Sequence, residues 1–211
     1  MNLLHKFLNR TDFSDYADFA KNVKFSVPEG FNFAYDIVDE YARIAPEKRA
    51  LVWCNAKGEE KIITFGELSK ESNRVVNFLL SAGVKRGDYI MSMLNRRWEY
   101  WVLVTACCKL GAVIIPATHL LTPKDIVYRC NSADVKLLIA TAETDVIEHI
   151  AHALDKCTTL KECLFTEPVE GYRCFDACYR EMSDELPALP RPSGNETMLC
   201  YFTSGTTGMP K

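Results

Sequence analysis

The sequence lacks the cysteine spacing that metal and disulfide frameworks need. It has nine cysteines but no CxxC pair, and zinc ribbons and fingers require paired CxxC or CxxC with HxxxH spacing. An odd number of cysteines without such spacing predicts reduced thiols, in which buried cysteine serves as a small apolar residue. This usage is typical of a cytoplasmic protein, and no structural metal is expected.

Strong net charge and long apolar runs are also missing. The formal net charge is -3, which gives no electrostatic reason to expect binding to nucleic acid or to an anionic membrane. The longest apolar stretch, 101–121, is interrupted by Lys109, Gly111 and Pro116, so we expect no membrane span. The first twenty residues show no apolar segment followed by a small-residue cleavage site, which argues against secretion.

From Thr64 onward, helix signals and apolar strand segments alternate. "TFGEL" contains a capping box in which Thr64 and Glu67 satisfy each other's backbone N–H groups. "LTPKDIVYRC" repeats the start signal, with Thr122 as N-cap and Pro123 at the first helical position. "YIMSML", "AVIIP", "VKLLIA" and "ECLF" are short apolar strands. The sequence therefore predicts an α/β fold: a mostly parallel, doubly wound sheet with helices on both faces.

Composition divides the chain into five stretches. The body of alternating strands and helices is flanked by irregular segments, and "SDELPALPRPSGN" is a linker rich in proline and serine. The predicted stretches are an N-terminal extension (1–30), an arm (31–64), the α/β body (65–182), the linker (183–195) and a closing strand with a polar loop (196–211).

The last eleven residues, "YFTSGTTGMPK", pass from an apolar run into a loop of small polar residues. Gly205 and Gly208 let backbone N–H groups approach a ligand closely, and hydroxyls and Lys211 surround them. Such donors suit a polyphosphate. The spacing is not that of a P-loop NTPase, which needs four residues between its glycines. Composition alone leaves a flexible tail as the alternative.

The whole string resembles the signature loop of the adenylate-forming superfamily, which includes acyl-CoA synthetases, firefly luciferases and adenylation domains of peptide synthetases. Two upstream stretches, "ITFGELSKESNRVVNFLLSAGVKRGDYI" and "CCKLGAVIIPATHLLTPKDIVYRCNSADVKLLI", resemble earlier blocks of that family in the same order. "VPEGFNFAYDIVDEYA" and "WEYW" are most similar to the medium-chain acyl-CoA synthetase branch. The resemblance runs from about Val27 to Lys211.

This resemblance implies the use of ATP, Mg²⁺ and coenzyme A. A small-molecule carboxylate reacts with ATP to give an acyl-adenylate and pyrophosphate, and coenzyme A then displaces AMP to form a thioester. The signature loop holds the β- and γ-phosphates, which fits its backbone, hydroxyl and ammonium donors. The residues expected to contact phosphate are Thr203, Ser204, Gly205, Thr206, Thr207, Gly208 and Lys211.

Family members are more than twice as long as this chain, and their magnesium ligand, adenine and ribose sites and catalytic lysine follow the signature loop. We therefore expect no catalytic residue within these residues, an inactive fragment, and an end at Lys211 that reflects truncation. In the family the arm (31–64) packs partly on a second subdomain, so we expect uncovered apolar surface around 31–53, self-association or disorder of the arm, and a poorly ordered terminal loop. Two alternatives remain: a superfamily member with another acceptor, and a non-catalytic α/β module.

Three weaker sets of residues have plain structural interpretations beside functional ones. His149 and His152 could be metal ligands, but a solvated helix face is the favoured interpretation because no third ligand is evident. Five polar residues follow two of the strands and should therefore lie at the carboxyl edge of the sheet. They could contact a ligand, but ordinary loop residues are the favoured interpretation. These are Asn95, Arg96, Arg97, Thr118 and His119. The aromatic residues expected mainly to pack are Trp98, Tyr100 and Trp101.

Overall fold

A computed structural model describes residues 3–203 of the 211-residue chain. The helical segments are Leu3–Lys6 (3₁₀), α1 (Tyr16–Asn22), Ala34–Asp39 (π), α2 (Glu40–Ile44), α3 (Phe65–Ser81), α4 (Glu99–Leu110), α5 (Pro123–Ser132), α6 (Thr144–Ala151), Leu154–Lys156 (3₁₀) and α7 (Phe175–Arg180). The strands are β1 (Arg49–Cys54), β2 (Glu60–Thr64), β3 (Tyr89–Met93), β4 (Val113–Pro116), β5 (Val135–Ala140), β6 (Glu162–Phe165) and β7 (Arg173–Cys174).

Five strands form one parallel sheet in the order β4-β3-β5-β6-β7. The strands β1 and β2 form a separate antiparallel hairpin. Parallel neighbours need crossover connections, and α4, α5 and α6 supply them between the central strands. The predicted α/β class is therefore confirmed.

Side chains that alternate along the central strands pack into two buried clusters, one on each face of the sheet. Ile90, Ile139 and Leu164 belong to the cluster that contains α3, α4 and α7. Their strand neighbours, which include Met91 and Phe165, belong to the cluster with α5 and α6. Both faces exclude water, which explains why these strands are continuously apolar rather than alternating. Helices on both faces are confirmed.

The helix starts follow the signals in the sequence. At α3, the Glu67 backbone N–H donates to Thr64 Oγ1 (3.2 Å) and the Thr64 N–H donates to Glu67 Oε2 (2.8 Å). The same reciprocal pair joins Thr122 and Asp125 at the start of α5. Helix α4 ends at Gly111, whose φ of 80° is left-handed.

A buried lysine joins the arm to the body. The Lys109 side chain has no exposed surface, and its Nζ lies 2.6 Å from Asp39 Oδ1 and 2.7 Å from Asn73 Oδ1. Burial lowers the pKa of Lys109 from its ordinary value, and Asp39 opposes that shift. Ala34 and Val38 of the π-helix are fully buried. The helical part of the arm thus packs on its own body, and is not left uncovered.

Exposed apolar side chains remain next to this arm. Phe33 and Val52 are 46% and 57% exposed, and Ile62, the cross-strand partner of Val52, is also exposed. The expectation of uncovered apolar surface therefore holds for Phe33 and for the outer face of the hairpin, whereas the π-helix and α2 are covered. Whether this surface drives self-association stays a prediction.

The segment 183–195, expected to be a linker, is attached to α3 by side chains. Asn77 Nδ2 donates to the carbonyl oxygens of Ser183 (2.8 Å) and Glu185 (2.9 Å), and Asn73 Nδ2 donates to that of Asp184 (2.9 Å). Leu186 and Leu189 of the same segment pack against the first cluster. These contacts hold the segment against the body, and its role as a linker stays a prediction.

All nine cysteines lie within the described residues as free thiols. Burial raises the pKa of the Cys108 thiol to about 11, and it raises the pKa values of Cys107, Cys130 and Cys163 further. Such thiols stay protonated and unreactive at neutral pH. None of the helices in residues 3–203 is both long enough and apolar enough to cross a membrane.

Candidate nucleotide-binding site

The closing segment, residues 198–202, extends the sheet beside β4. The Ile114 N–H donates to the Met198 carbonyl (3.1 Å), and the Cys200 N–H donates to the Ile114 carbonyl (3.0 Å). These two bonds form a parallel bridge between Ile114 and Leu199. Because the pairing is parallel, the segment runs toward the carboxyl edge of the sheet, where open α/β folds bind ligands.

Alternating side chains anchor the closing segment to both faces. Leu199 packs against the first cluster, while Cys200 and Phe202 pack against the second. The Phe202 ring meets the Tyr128 ring edge to face at 6.1 Å, and the Arg129 guanidinium lies 5.4 Å from the Phe202 centroid. Both contacts lie on α5. The segment before the polar loop is therefore fixed by backbone bonds and by side chains.

Of the residues expected to contact phosphate, only Thr203 lies in the part of the chain that the structure describes. It is exposed and follows the closing segment directly. Those outside the described residues are Ser204, Gly205, Thr206, Thr207, Gly208 and Lys211. The expectation of a poorly ordered terminal loop falls on the same undescribed residues.

Loops at the carboxyl edge carry the polar residues that the sequence indicates. Asn95, after β3, donates from Nδ2 to Glu143 Oε1 after β5 (2.9 Å), which joins two neighbouring loops. Arg96 is exposed and has a left-handed φ of 51°. Its carbonyl accepts a hydrogen bond from Trp53 Nε1 at 2.6 Å. The hairpin therefore supports the loop after β3, a contact that local sequence signals do not reveal.

Arg97 is held by carboxylates from two parts of the chain. Its guanidinium makes a two-point contact with Glu99 (2.7 and 3.2 Å) and a third bond to Glu167 (2.9 Å). The Glu99 side chain is only 1% exposed. A buried carboxylate needs such a charged partner. Arg97 thus links the loops after β3 and β6 and has a structural role.

The carboxyl whose pKa is raised most among the described residues lies far along the sheet from Thr203. Burial, followed by the Glu99 carboxylate, raises the pKa of Asp176 to about 6, and Arg180 opposes the shift from 3.1 Å. Asp176 opens α7, directly after β7, whereas the closing segment lies at the β4 edge. Four strands (β4, β3, β5 and β6) lie between the closing segment and β7, so the perturbed carboxyl is not part of the candidate site.

The histidine and the aromatic residues singled out in the sequence mostly make structural contacts. His149 lies with Nδ1 2.9 Å from the Leu121 carbonyl oxygen, and residues 3–203 contain no cluster of three side chains that could hold a metal ion. Trp98 is buried, as expected for packing, but Trp101 is 52% exposed. The expectation that all three aromatic residues of this region are packed therefore fails at Trp101.

A parallel sheet whose closing segment runs toward the carboxyl edge has the arrangement in which open α/β folds bind ligands. The family model described as "AMP-binding enzyme" matches residues 38–211. The chain belongs to this family.

Curated relatives agree with this assignment. The mitochondrial acyl-coenzyme A synthetase ACSM5 of Rattus norvegicus is 37% identical over 193 residues, which cover 88% of this chain and 33% of the relative. The mitochondrial acyl-coenzyme A synthetase ACSM3 of Homo sapiens is 35% identical over 221 residues, which cover 99% of this chain and 37% of the relative. The chain thus spans about a third of the length of the curated relatives that it matches.

Two solved structures share the fold. An anthranilate CoA ligase, AuaEII, solved with anthranoyl-AMP, superposes with a TM-score of 0.73 at 24% identity, covering 87% of this chain and 34% of the ligase. A fatty acyl CoA synthetase of Mycobacterium tuberculosis superposes with a TM-score of 0.72 at 20% identity, and the superposition covers 85% of this chain and 33% of the synthetase. At these identities the similarity concerns the fold alone.

Proposed function

We propose that the chain is the N-terminal part of an AMP-forming acyl-CoA synthetase. A carboxylate oxygen attacks the α-phosphorus of ATP, which forms an acyl-adenylate and releases pyrophosphate. The coenzyme A thiolate then attacks the acyl carbon, which forms the thioester and releases AMP. One observation carries the proposal: the parallel pairing of residues 198–202 with β4 runs the chain toward the ligand-binding edge as far as Thr203, the first residue of the signature loop.

Within this reaction, the signature loop binds the β- and γ-phosphates. Backbone N–H groups and hydroxyls from Thr203 to Gly208 surround the leaving pyrophosphate, and the Lys211 ammonium offsets its charge. The names of both relatives support coenzyme A as the acceptor. Mg²⁺ would neutralise phosphate charge, but residues 3–203 offer no cluster to hold it, so we assign no step to it.

The 211-residue chain alone should not form an adenylate, because the residues expected to bind adenine and Mg²⁺ are not among its own. Carboxylate-dependent exchange of pyrophosphate into ATP measures this step. We expect no exchange from the chain alone. We expect exchange from a chimera in which residues 38–211 replace the matching third of the rat relative.

The chimera also tests the loop. Lys211→Ala should lower the exchange rate by roughly tenfold to a hundredfold, since it removes a charge next to the leaving group. Lys57→Ala, in the turn of the hairpin, is the matched control and should leave the rate unchanged. Exchange by the chain alone would refute its expected inactivity. A folded chimera without exchange would refute the proposed function.

Location is a separate proposal. Nine free thiols fit a reducing compartment, and we propose the cytoplasm. Both relatives carry "mitochondrial" in their names, so fractionation of cells that express the natural protein should include both compartments. Recovery with mitochondria would overturn the cytoplasmic proposal.

A further inference from the structure

Pro116 ends the backbone pairing between the closing segment and β4. The last bond of this pairing runs from the Cys200 N–H to the Ile114 carbonyl (3.0 Å). Because a parallel ladder uses every second residue of a strand, the next donor from β4 would be residue 116, and proline has no N–H. Among the described residues, no backbone hydrogen bond joins Tyr201 or Phe202 to β4. Their side chains must therefore hold the chain where it leaves the sheet.

Helix α5 holds the Phe202 side chain on one face of the sheet. The Phe202 ring meets the Tyr128 ring edge to face, with 6.1 Å between the ring centroids and 68° between the planes. The Arg129 guanidinium lies 5.4 Å from the Phe202 centroid, which is within the range of a cation–π contact. Phe202 also packs against the second cluster. Two successive residues of α5 thus contact the residue that precedes the signature loop.

The start of α5 orients Arg129. Its Nη1 donates to the Asp125 carbonyl (3.3 Å) and lies 3.5 Å from Asp125 Oδ1. The Asp125 carboxylate is itself held by the N-cap, because Thr122 Oγ1 donates to Asp125 Oδ2 (2.6 Å). The Arg129 side chain is only 13% exposed, so little solvent competes for it. A connected set of contacts therefore runs from the N-cap of α5 to the Phe202 ring.

Tyr201 belongs to the opposite face. Side chains alternate along an extended segment, and Leu199 packs against the first cluster whereas Phe202 packs against the second. Tyr201 therefore lies on the side of α4, where Tyr100 packs against the first cluster. Burial, followed by the neighbouring Tyr201, raises the pKa of Tyr100 from its ordinary value. Tyr201 is still 58% exposed, so the contacts with α5 provide the firmer hold.

We propose that Tyr128 and Arg129 are positioning residues for the signature loop. They fix the Phe202 ring, which sets the place and direction in which the chain leaves the sheet at Thr203. They act through Phe202, and not by contact with ATP. This inference rests on the proposed function, in which the loop must meet the leaving pyrophosphate, and small misplacements of such groups cost large factors in rate.

Tyr128→Leu in the chimera described above tests the role in the reaction. The variant removes the ring that meets Phe202. We expect kcat for pyrophosphate exchange to fall about tenfold, while KM for the carboxylate stays within about twofold, because the contact orients the phosphate loop. Tyr128→Phe keeps the ring and should restore kcat to within about twofold. Arg129→Gln removes the cation and should lower kcat by about threefold.

Tyr172→Leu is the matched control for lost packing. The Tyr172 ring meets Phe165 edge to face at 4.9 Å and packs against the same second cluster, but it lies at the β6 and β7 side of the sheet. This variant should leave kcat within about twofold. An equal loss of kcat in Tyr128→Leu and Tyr172→Leu would assign the effect to general packing and overturn the proposal.

Hydrogen exchange in the 211-residue chain gives a readout without activity. The Cys200 N–H makes the last bond of the ladder, so loss of the Phe202 contact should let this end open more often. We expect its exchange to accelerate about tenfold in Tyr128→Leu and to stay within about twofold in Tyr172→Leu. Unchanged Cys200 exchange, or an unchanged kcat in an active chimera, overturns the positioning role. A folded parent chimera without activity refutes the proposed function itself, and the purpose of these contacts with it.

Discussion

Single buried charges have the largest predicted effects on stability in this chain. Lys109 has no exposed side-chain surface, and it satisfies both Asp39 and Asn73. Lys109→Met would keep most of its volume but leave Asp39 without its cation. Since Asp39 is partly exposed, we expect the free energy of unfolding to fall by roughly 2–4 kcal/mol.

Urea unfolding of the variant measures this loss. Lys70→Met, at an exposed position of α3, is the control and should change stability little. If Lys109→Met is as stable as the natural sequence, the ammonium contributes nothing net to the attachment of the arm. Lys109→Met combined with Asp39→Asn should recover part of the loss, because the unpaired charge is then removed.

Asp176 makes stability depend on pH. Burial and Glu99 raise its pKa from 3.8 to about 6, so the folded state holds this proton more tightly than the unfolded state. Such a group stabilises the fold at low pH, and the contribution is lost as pH rises from about 4 to about 6. Arg97, Arg180 and Tyr179 are the other ionisable groups around it.

Asp176→Asn cannot ionise, so it should avoid this loss. Relative to the variant, the natural sequence should lose roughly 2 kcal/mol of unfolding free energy between pH 4 and pH 7. Urea unfolding across that range measures the difference, with Asp155→Asn as an exposed control. Parallel pH profiles for the natural sequence and Asp176→Asn would contradict the raised pKa.

The sequence predicted some elements well because their signals are local. Thr64 with Glu67 and Thr122 with Asp125 fix two helix starts through contacts three residues apart. The hairpin of β1 and β2, the π-helix and the two-residue β7 were not predicted. Their formation depends on distant partners, such as the carbonyl of Arg96 for Trp53. Local secondary-structure propensities do not depend on such distant partners, so they could not predict these elements.

The segment 183–195 shows the same limit. Proline and serine indicated a linker, but α3 holds it through Asn73 and Asn77, more than a hundred positions earlier. Asn77→Ala should lower the free energy of unfolding by about 1–2 kcal/mol, because two carbonyl partners are lost. It should also speed proteolysis within 183–195. Lys70→Ala on the same helix is the control, and equal cleavage in both variants would mean that Asn77 does not hold the segment.

At the scale of the whole molecule, exposed apolar surface should drive self-association. Val52 and Trp101 border one cavity between the hairpin and α4, and both are more than half exposed. Large apolar patches of this kind mark contacts with other protein surface. Sedimentation velocity should show a concentration-dependent dimer that Val52→Thr with Trp101→Gln weakens.

Tyr16→Ser, at a highly exposed position of α1, controls for loss of surface hydrophobicity in general. If this variant weakens the dimer equally, the dimer contact is not specific to the hairpin. A strictly monomeric chain at all soluble concentrations would refute self-association. Membership of the AMP-binding family was predictable because the signature motif is contiguous, but the pairing of residues 198–202 with β4 was not visible from the motif.

The pairing of the closing segment with Ile114 has a consequence for the order of folding. The partners are distant in sequence, so this bridge closes a long loop and should form after β4 and its neighbours are in place. During synthesis the closing segment is made after β4, so we expect it to join a sheet edge that has already assembled. Substitutions in the closing segment should therefore accelerate unfolding while leaving the folding rate nearly unchanged.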